Sequence, residues 1–231
     1  MERNGVVAWS KVLLFALVVA LTGCAAAPKG KPPEPPAPDT RTVEELTRSG
    51  NLNFSRGKYG EAVDDFSKVI QGGGGSAAVY TTRGRVYFEM GRYNDALADL
   101  DRAVGLAPGS DTAWNTRGYI LYSMGRNEEA LKDLDKALAI NPRHEAAYNH
   151  RGLVRLSLEQ YGPALSDFDR ALDVDPGYYE VYANRGDALW KLGRREEAAA
   201  AWREYLTRAN PSRDARRVGQ VRERLRSLEG S

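Results

Sequence analysis

Between residues 43 and 212 the apolar positions fall into paired stripes with helical spacing. Ala130, Leu131, Leu134, Ala137 and Leu138 stand at i, i+4 and i+7 intervals, which places them on one face of a helix. Gly91, Gly125 or Gly193 separates two such stripes, and glycine tolerates the left-handed backbone that ends a helix. Pro108, Pro142 and Pro176 close three of the pairs, because proline cannot continue a helix. Pro163 falls at the start of a second helix, where a missing amide costs little. The pattern predicts helical hairpins.

The hairpins recur with a period of 34 residues, five times and without insertion: 43–76, 77–110, 111–144, 145–178 and 179–212. Gly50, Gly84, Gly118, Gly152 and Gly186 form one column, and Ala62, Ala96, Ala130, Ala164 and Ala198 another. Gly118 and Ala130 belong to opposite helices of one hairpin, where small side chains let two backbones approach. Tyr80, Trp114, Tyr148 and Tyr182 form a column of large rings, with Leu46 in the first unit. The third unit reads DTAWNTRGYILYSMGRNEEALKDLDKALAINPRH. These columns resemble the tetratricopeptide repeat (TPR) family, which has a large residue at position 4, small residues at 8 and 20, an aromatic near 17 and proline at 32. The resemblance implies an all-α fold, a right-handed α-solenoid of five TPR helical hairpins plus a C-terminal capping helix. One hairpin cannot bury its stripe alone, whereas a stack can. Residues 213–231 are expected to form the capping helix and tail, with Ser212 as N-cap and Val218, Val221, Leu225 and Leu228 as its apolar stripe.

Charged columns refine the expectation. Arg83, Arg117, Arg151 and Arg185 occupy position 7, and Asp65, Asp99, Asp133 and Asp167 position 23. Pairing within units leaves Asp65 and Arg185 alone, while pairing each aspartate with the next unit's arginine leaves none alone. Inter-repeat bridges between residues 18 apart are therefore expected. Two departures from the family pattern stand out. Gly72–Gly75 replaces the end of the first unit, so that unit is expected to hinge or fray. Arg195 replaces the aromatic of the fifth.

Residues 1–23 have the layout of a lipoprotein signal peptide. Arg3 and Lys11 precede an apolar run, Val12 to Leu21, too short for a permanent membrane span. Leu21-Thr22-Gly23-Cys24 resembles the bacterial lipobox, which implies lipidation of Cys24; the alternative is a plain secretory signal. Residues 24–42 are then the lipidated cysteine and a Pro-rich linker, holding six of the 11 prolines. This stretch reads as an extended spacer or as a proline-rich ligand. In proteobacterial lipoproteins an aspartate after the cysteine favours inner-membrane retention. Ala25 therefore favours the outer membrane, facing the periplasm.

Composition removes several function classes. The formal net charge is +2, too small to imply a nucleic-acid partner. Cys24 is the sole cysteine, so no internal disulfide forms. His144 and His150 are the only histidines and form no zinc motif. Hydrolase elbows and phosphate loops are absent, and Gly72–Gly75 lacks the Lys-Ser/Thr continuation. Asp99/Asp101 and Asp133/Asp135 suggest metal but sit two residues apart on a helix and diverge. No cofactor, metal or catalytic residue is expected. The arginines of 213–226 suit a solvated cap face or an anionic surface.

In TPR solenoids the first helices line a concave groove. By resemblance the groove here carries Phe88 and Arg85, then Asn115, Tyr119 and Tyr122, then Asn149 and His150, then Asn184, Asp187 and Trp190. Phe54, Leu153, Leu156 and Lys191 extend it. Rings and amides suit a protein or peptide ligand, although Phe88, Tyr122 and Trp190 could instead pack between repeats. Position 5 and 9 residues do not reproduce a Lys/Asn carboxylate clamp. The expected function is a non-enzymatic interaction scaffold of the bacterial cell envelope, held to the membrane by its lipid and concerned with envelope or pilus/secretion assembly. A self-associating structural lipoprotein is the alternative.

Overall fold

The computed structural model describes residues 40–229. The signal-peptide, Cys24 and proline-rich expectations for residues 1–39 lie outside the described residues. From Arg41 onward the chain forms one compact unit. Its helices are α1 (Val43–Ser55), α2 (Tyr59–Val69), α3 (Ala77–Glu89), α4 (Tyr93–Leu106), α5 (Asp111–Ser123) and α6 (Asn127–Ile140). They continue with α7 (Glu145–Ser157), α8 (Tyr161–Val174), α9 (Glu180–Lys191), α10 (Arg195–Arg208) and α11 (Ala215–Glu229). Odd and even helices pair into five hairpins, and each even helix also packs on the next odd one. Successive odd helices touch each other as well, from α1 through α9. Among the described residues no two successive even helices come together to that extent. Helices crowded in this way lie on the inner side of a bent stack, so the odd helices form its concave face.

Local signals place the helix starts. Thr42 and Glu45 close a capping box on α1, and Ser76 and Ser110 accept from backbone amides at the starts of α3 and α5. The even helices lack side-chain caps. Arg92, Arg126 and Arg194 instead clasp Asp95, Glu129 and Glu197 in the first turn at 2.6–2.7 Å, where acids suit the helix dipole. The corner before each even helix needs a positive φ. Glycine supplies it at 57, 91, 125 and 193, with φ of 73–76°, but Glu159 occupies the fourth corner at φ 60°. Left-handed backbone costs a non-glycine residue about 1 kcal/mol. Glu159→Gly should therefore raise the thermal midpoint by about 2–4 °C, read by circular dichroism; an unchanged or lower midpoint would count against strain at this corner.

The glycine column sits where each hairpin is tightest. Opposite it stand Phe66, Leu100, Leu134, Phe168 and Trp202, all fully buried. A Cβ on Gly186 would lie 2.4 Å from the Trp202 indole, closer than any side chain could tolerate. The large-ring column braces the loops: Trp114 Nε1 donates to the Pro108 carbonyl at 2.8 Å, and the Tyr148 hydroxyl to that of Pro142 at 3.3 Å.

The seam corrects the expected charge pairing. Nε and Nη2 of Arg117 donate to both oxygens of Asp133 in the same unit, at 2.7 and 2.8 Å. Arg83 grips Asp99 and Arg151 grips Asp167 likewise, 16 residues apart rather than 18. The inter-repeat bond goes to a different aspartate: Arg117 Nη1 reaches Asp101, Arg151 reaches Asp135 and Arg185 reaches Asp169. Positions 7 and 23 face each other inside a hairpin because they adjoin its close contact. The aspartate two residues on points toward the next unit. Each Asp-x-Asp pair therefore joins two position-7 arginines, one on either side, and Asp167 also accepts from Arg155 at 2.9 Å. The residues that counting left alone find partners outside the columns: Asp65 accepts from Ser49, Asn53 and Arg41 at 2.7–2.9 Å.

Two further expectations change. Gly72–Gly75 does not fray the first unit: Ile70–Gly74 ends α2 as a single π-helical turn, with Gly73 at φ 86° and Gly74 tight against Val43. Ser212 does not cap the last helix. It lies in a turn whose amides donate to Asn210, and α11 starts after Asp214, whose carbonyl accepts from Val218 at 2.9 Å. Val218, Val221 and Leu225 of α11 bury against the cluster that holds Trp202 and Tyr205.

Candidate functional site

The odd-helix face carries two different surfaces. From α1 to α7 it is aromatic. Arg85 lies over Phe54 at 5.5 Å. Phe88 meets Tyr119 edge-on with centroids 5.6 Å apart, and Tyr119 stacks on His150 at 4.3 Å. Tyr122 stands 6.4 Å from Tyr119. Phe54, Phe88, Tyr119 and Tyr122 are half-buried, and Arg85 is exposed. These rings pack against one another and remain partly open to solvent.

Beneath the rings run polar links between neighbouring units. His150 Nδ1 donates to Asn115 Oδ1 at 2.8 Å. Asn184 Nδ2 donates to Asn149 Oδ1 at 2.9 Å, and Asn149 donates on to the Tyr178 hydroxyl at 3.4 Å. Asn115 and Asn149 are buried, so their amides join the repeats rather than line an open groove. Burial holds the His150 imidazole neutral and lowers its pKa from the ordinary 6.5 to about 4. A depressed histidine pKa adds stability above the unfolded value, and that stability fades as pH falls from about 6.5 toward 4. Between pH 7.5 and 4.5 the native protein should lose roughly 2 kcal/mol more than His150→Gln does. Urea midpoints at the two pH values test this; equal losses would sink it.

At α9 the face is covered. Arg217 of α11 donates to Asn184 at 3.1 Å and to Asp187 at 2.8 Å. Arg224 also bonds Asp187, and Trp202 Nε1 donates to it at 3.0 Å. Asn184 and Asp187 are thus committed to the cap helix. Trp190 and Lys191 remain exposed beside it. Sequence reasoning placed Arg217 and Arg224 on a cap face without assigning them partners. Their spacing of seven, which puts them on one side of a helix, was the available signal. Tyr178 left no comparable trace.

Among the described residues no cluster of His, Cys, Asp and Glu could hold a metal, and no helix is long and apolar enough to cross a membrane.

Comparison with known proteins agrees with the architecture. The family model described as tetratricopeptide repeat matches residues 81–147 and 149–214, more than half of the chain. The chain belongs to the tetratricopeptide repeat family. No curated protein matches the chain. Among solved TPR structures, a thermophilic TPR protein from Thermus thermophilus is similar at TM-score 0.68 and 22% identity, over 80% of this chain and 99% of that one. PilF of Pseudomonas aeruginosa gives 0.68 and 19%, over 80% and 88%. MamA of Desulfovibrio magneticus gives 0.62 and 19%, over 72% and 94%. At such identities these likenesses establish the TPR fold alone. TPR proteins are in general non-enzymatic scaffolds for protein–protein interaction.

Proposed function

We propose that this TPR protein is a non-enzymatic adaptor of the bacterial envelope, tethered through Cys24, that holds a segment of a partner protein against its odd-helix face. One observation carries the reading: Phe54, Phe88, Tyr119 and Tyr122 line up across successive units, partly open to solvent, on the stretch of face that α11 leaves free. Rigid rings supply contact area at low entropic cost, which is what a protein-binding surface needs. The lipobox-like Leu21-Thr22-Gly23-Cys24 supports the tether, and Ala25 supports the outer membrane with the solenoid in the periplasm.

The test is photo-crosslinking in cells, with a photoreactive residue at Tyr122 and a control at exposed Lys136 on α6. A distinct protein captured at Tyr122 alone, and lost on Phe88→Ala, supports the adaptor. Capture of the same chain would replace the partner with a second copy, and capture of nothing would remove the proposal. Palmitate labelling of the native protein and of Cys24→Ala tests the tether: the label should vanish with the thiol.

A further inference from the structure

One ring stands at the same repeat position in each of the first three units: Phe54 on α1, Phe88 on α3 and Tyr122 on α5, 34 residues apart and each half-buried. These helices are successive neighbours on the odd-helix face. Packed helices stand about 8–10 Å apart, so the column offers an aromatic foothold at about that interval. A polyproline II helix repeats at a matching interval, with three residues of about 3.1 Å each per turn.

The chain carries a segment with that period. Residues 31–38 read KPPEPPAP. Wound as polyproline II, Pro32, Pro35 and Pro38 make one row, Pro33 and Pro36 a second, and Lys31, Glu34 and Ala37 the third. Two rows are wholly proline, and the charged groups share one edge. Proline-rich segments dock on aromatic-lined grooves because their extended form is preset and little entropy is lost on binding. The charged edge has counterparts too: Arg85, which lies over Phe54, and Glu89, one turn on, are both exposed on α3.

Chain length decides whose segment fits. Arg41 is held by Asp65 at 2.9 Å, and Thr42 caps α1. From Thr42 to Phe54 the helix rises about 18 Å. The residues from Pro38 to Thr42 span at most about 14 Å. Pro38 of the same chain therefore falls short of Phe54, and Tyr122 lies two units farther on. Only the segment of another copy puts three prolines on the three rings at once.

We infer that, when no partner is bound, the odd-helix face holds the proline-rich segment of a second copy, with Pro32, Pro35 and Pro38 on the rings of Phe54, Phe88 and Tyr122. The inference rests on that face being the protein-binding one. It adds what occupies the face at rest, a self-association that a partner must displace.

The test uses the purified full chain in detergent, with a photoreactive residue at Ser123, exposed beside Tyr122. Isotopically heavy and light copies are mixed in equal amounts and irradiated, and the joined peptides are identified by mass spectrometry. Residues 31–38 should be joined to α5, in heavy–light pairs as often as in like pairs. Replacing Pro32, Pro35 and Pro38 together by serine should cut the yield roughly tenfold. Phe88→Leu, which keeps apolar volume but not the ring, should give a smaller loss. Melting curves check that both variants remain folded. No joining of 31–38, like-isotope pairs alone, or indifference to the triple serine substitution overturns the inference. If crosslinking at Tyr122 in cells still captures a distinct protein in that event, the self-association falls alone; if that capture is also absent, the groove reading falls with it.

Discussion

Replacing Trp202 by alanine should lower the unfolding free energy by about 3–5 kcal/mol, the usual cost of removing a fully buried large aromatic. Trp202 has no exposed surface and belongs to the C-terminal core shared by α8, α9, α10 and α11. It also donates to Asp187 at 3.0 Å, so its loss loosens the contact that seats α11. The partner in this packing is Gly186. Alone, Gly186→Ala should cost about 1–3 kcal/mol, because its Cβ would intrude on the indole. In the Trp202→Ala background the same change should cost nothing, or stabilise α9 by about 0.5–1 kcal/mol through helix propensity. Urea titrations of the two single variants and the double variant measure this coupling. Additive costs would show that the glycine column does not exist for the ring opposite it.

The second large effect concerns Arg117. Among the described residues its guanidinium is the only group that bonds the buried Asp133 carboxylate, whose side chain is 8% exposed. Arg117→Ala leaves that charge buried and unpaired, which costs about 3–5 kcal/mol. Removing both partners, in Arg117→Met with Asp133→Leu, should recover most of the loss, since a buried pair contributes little beyond an apolar pair of similar volume. Arg126→Ala, which breaks an exposed pair with Glu129 of similar length, should leave the midpoint nearly unchanged. Arg151 offers an internal comparison. Asp167 keeps Arg155 at 2.9 Å when Arg151 is gone, so Arg151→Ala should cost less than Arg117→Ala. Equal losses at the two arginines would mean that the fork acts through packing rather than through the stranded carboxylate.

Both predictions begin in columns visible along the chain, but they differ in how far the chain could carry them. The position-8 glycine announces a close approach wherever it stands, because only glycine removes a Cβ. Which atom fills the space needs the hairpin geometry. The arginine column announced a bridge and misled about its partner. Counting assumed that charges pair only within their columns, whereas Arg41, Ser49, Asn53 and Asp169 complete the ends of the array. An ion pair is decided by where side chains point across two packed helices, and a linear register does not contain that direction. The candidate groove divides similarly. Its rings follow from repeat positions, while the burial of Asn115 and Asn149 and the engagement of Asp187 by Arg217 and Arg224 depend on how closely neighbouring helices approach.

By itself the sequence determined the number and period of the hairpins, their stacking into an all-α solenoid and the small-residue columns inside them. Those properties are local and repeated: helix spacing, corner glycines and small-residue columns act within 34 residues and are read five times over. Only the tertiary structure decided which arginine holds which aspartate, how the Gly72–Gly75 run ends α2, and that α11 closes one end of the odd-helix face while the aromatic stretch stays open. Each of these depends on contacts between units or beyond the last one, where a side chain's partner is set by distance and direction in space rather than by its place in the repeat.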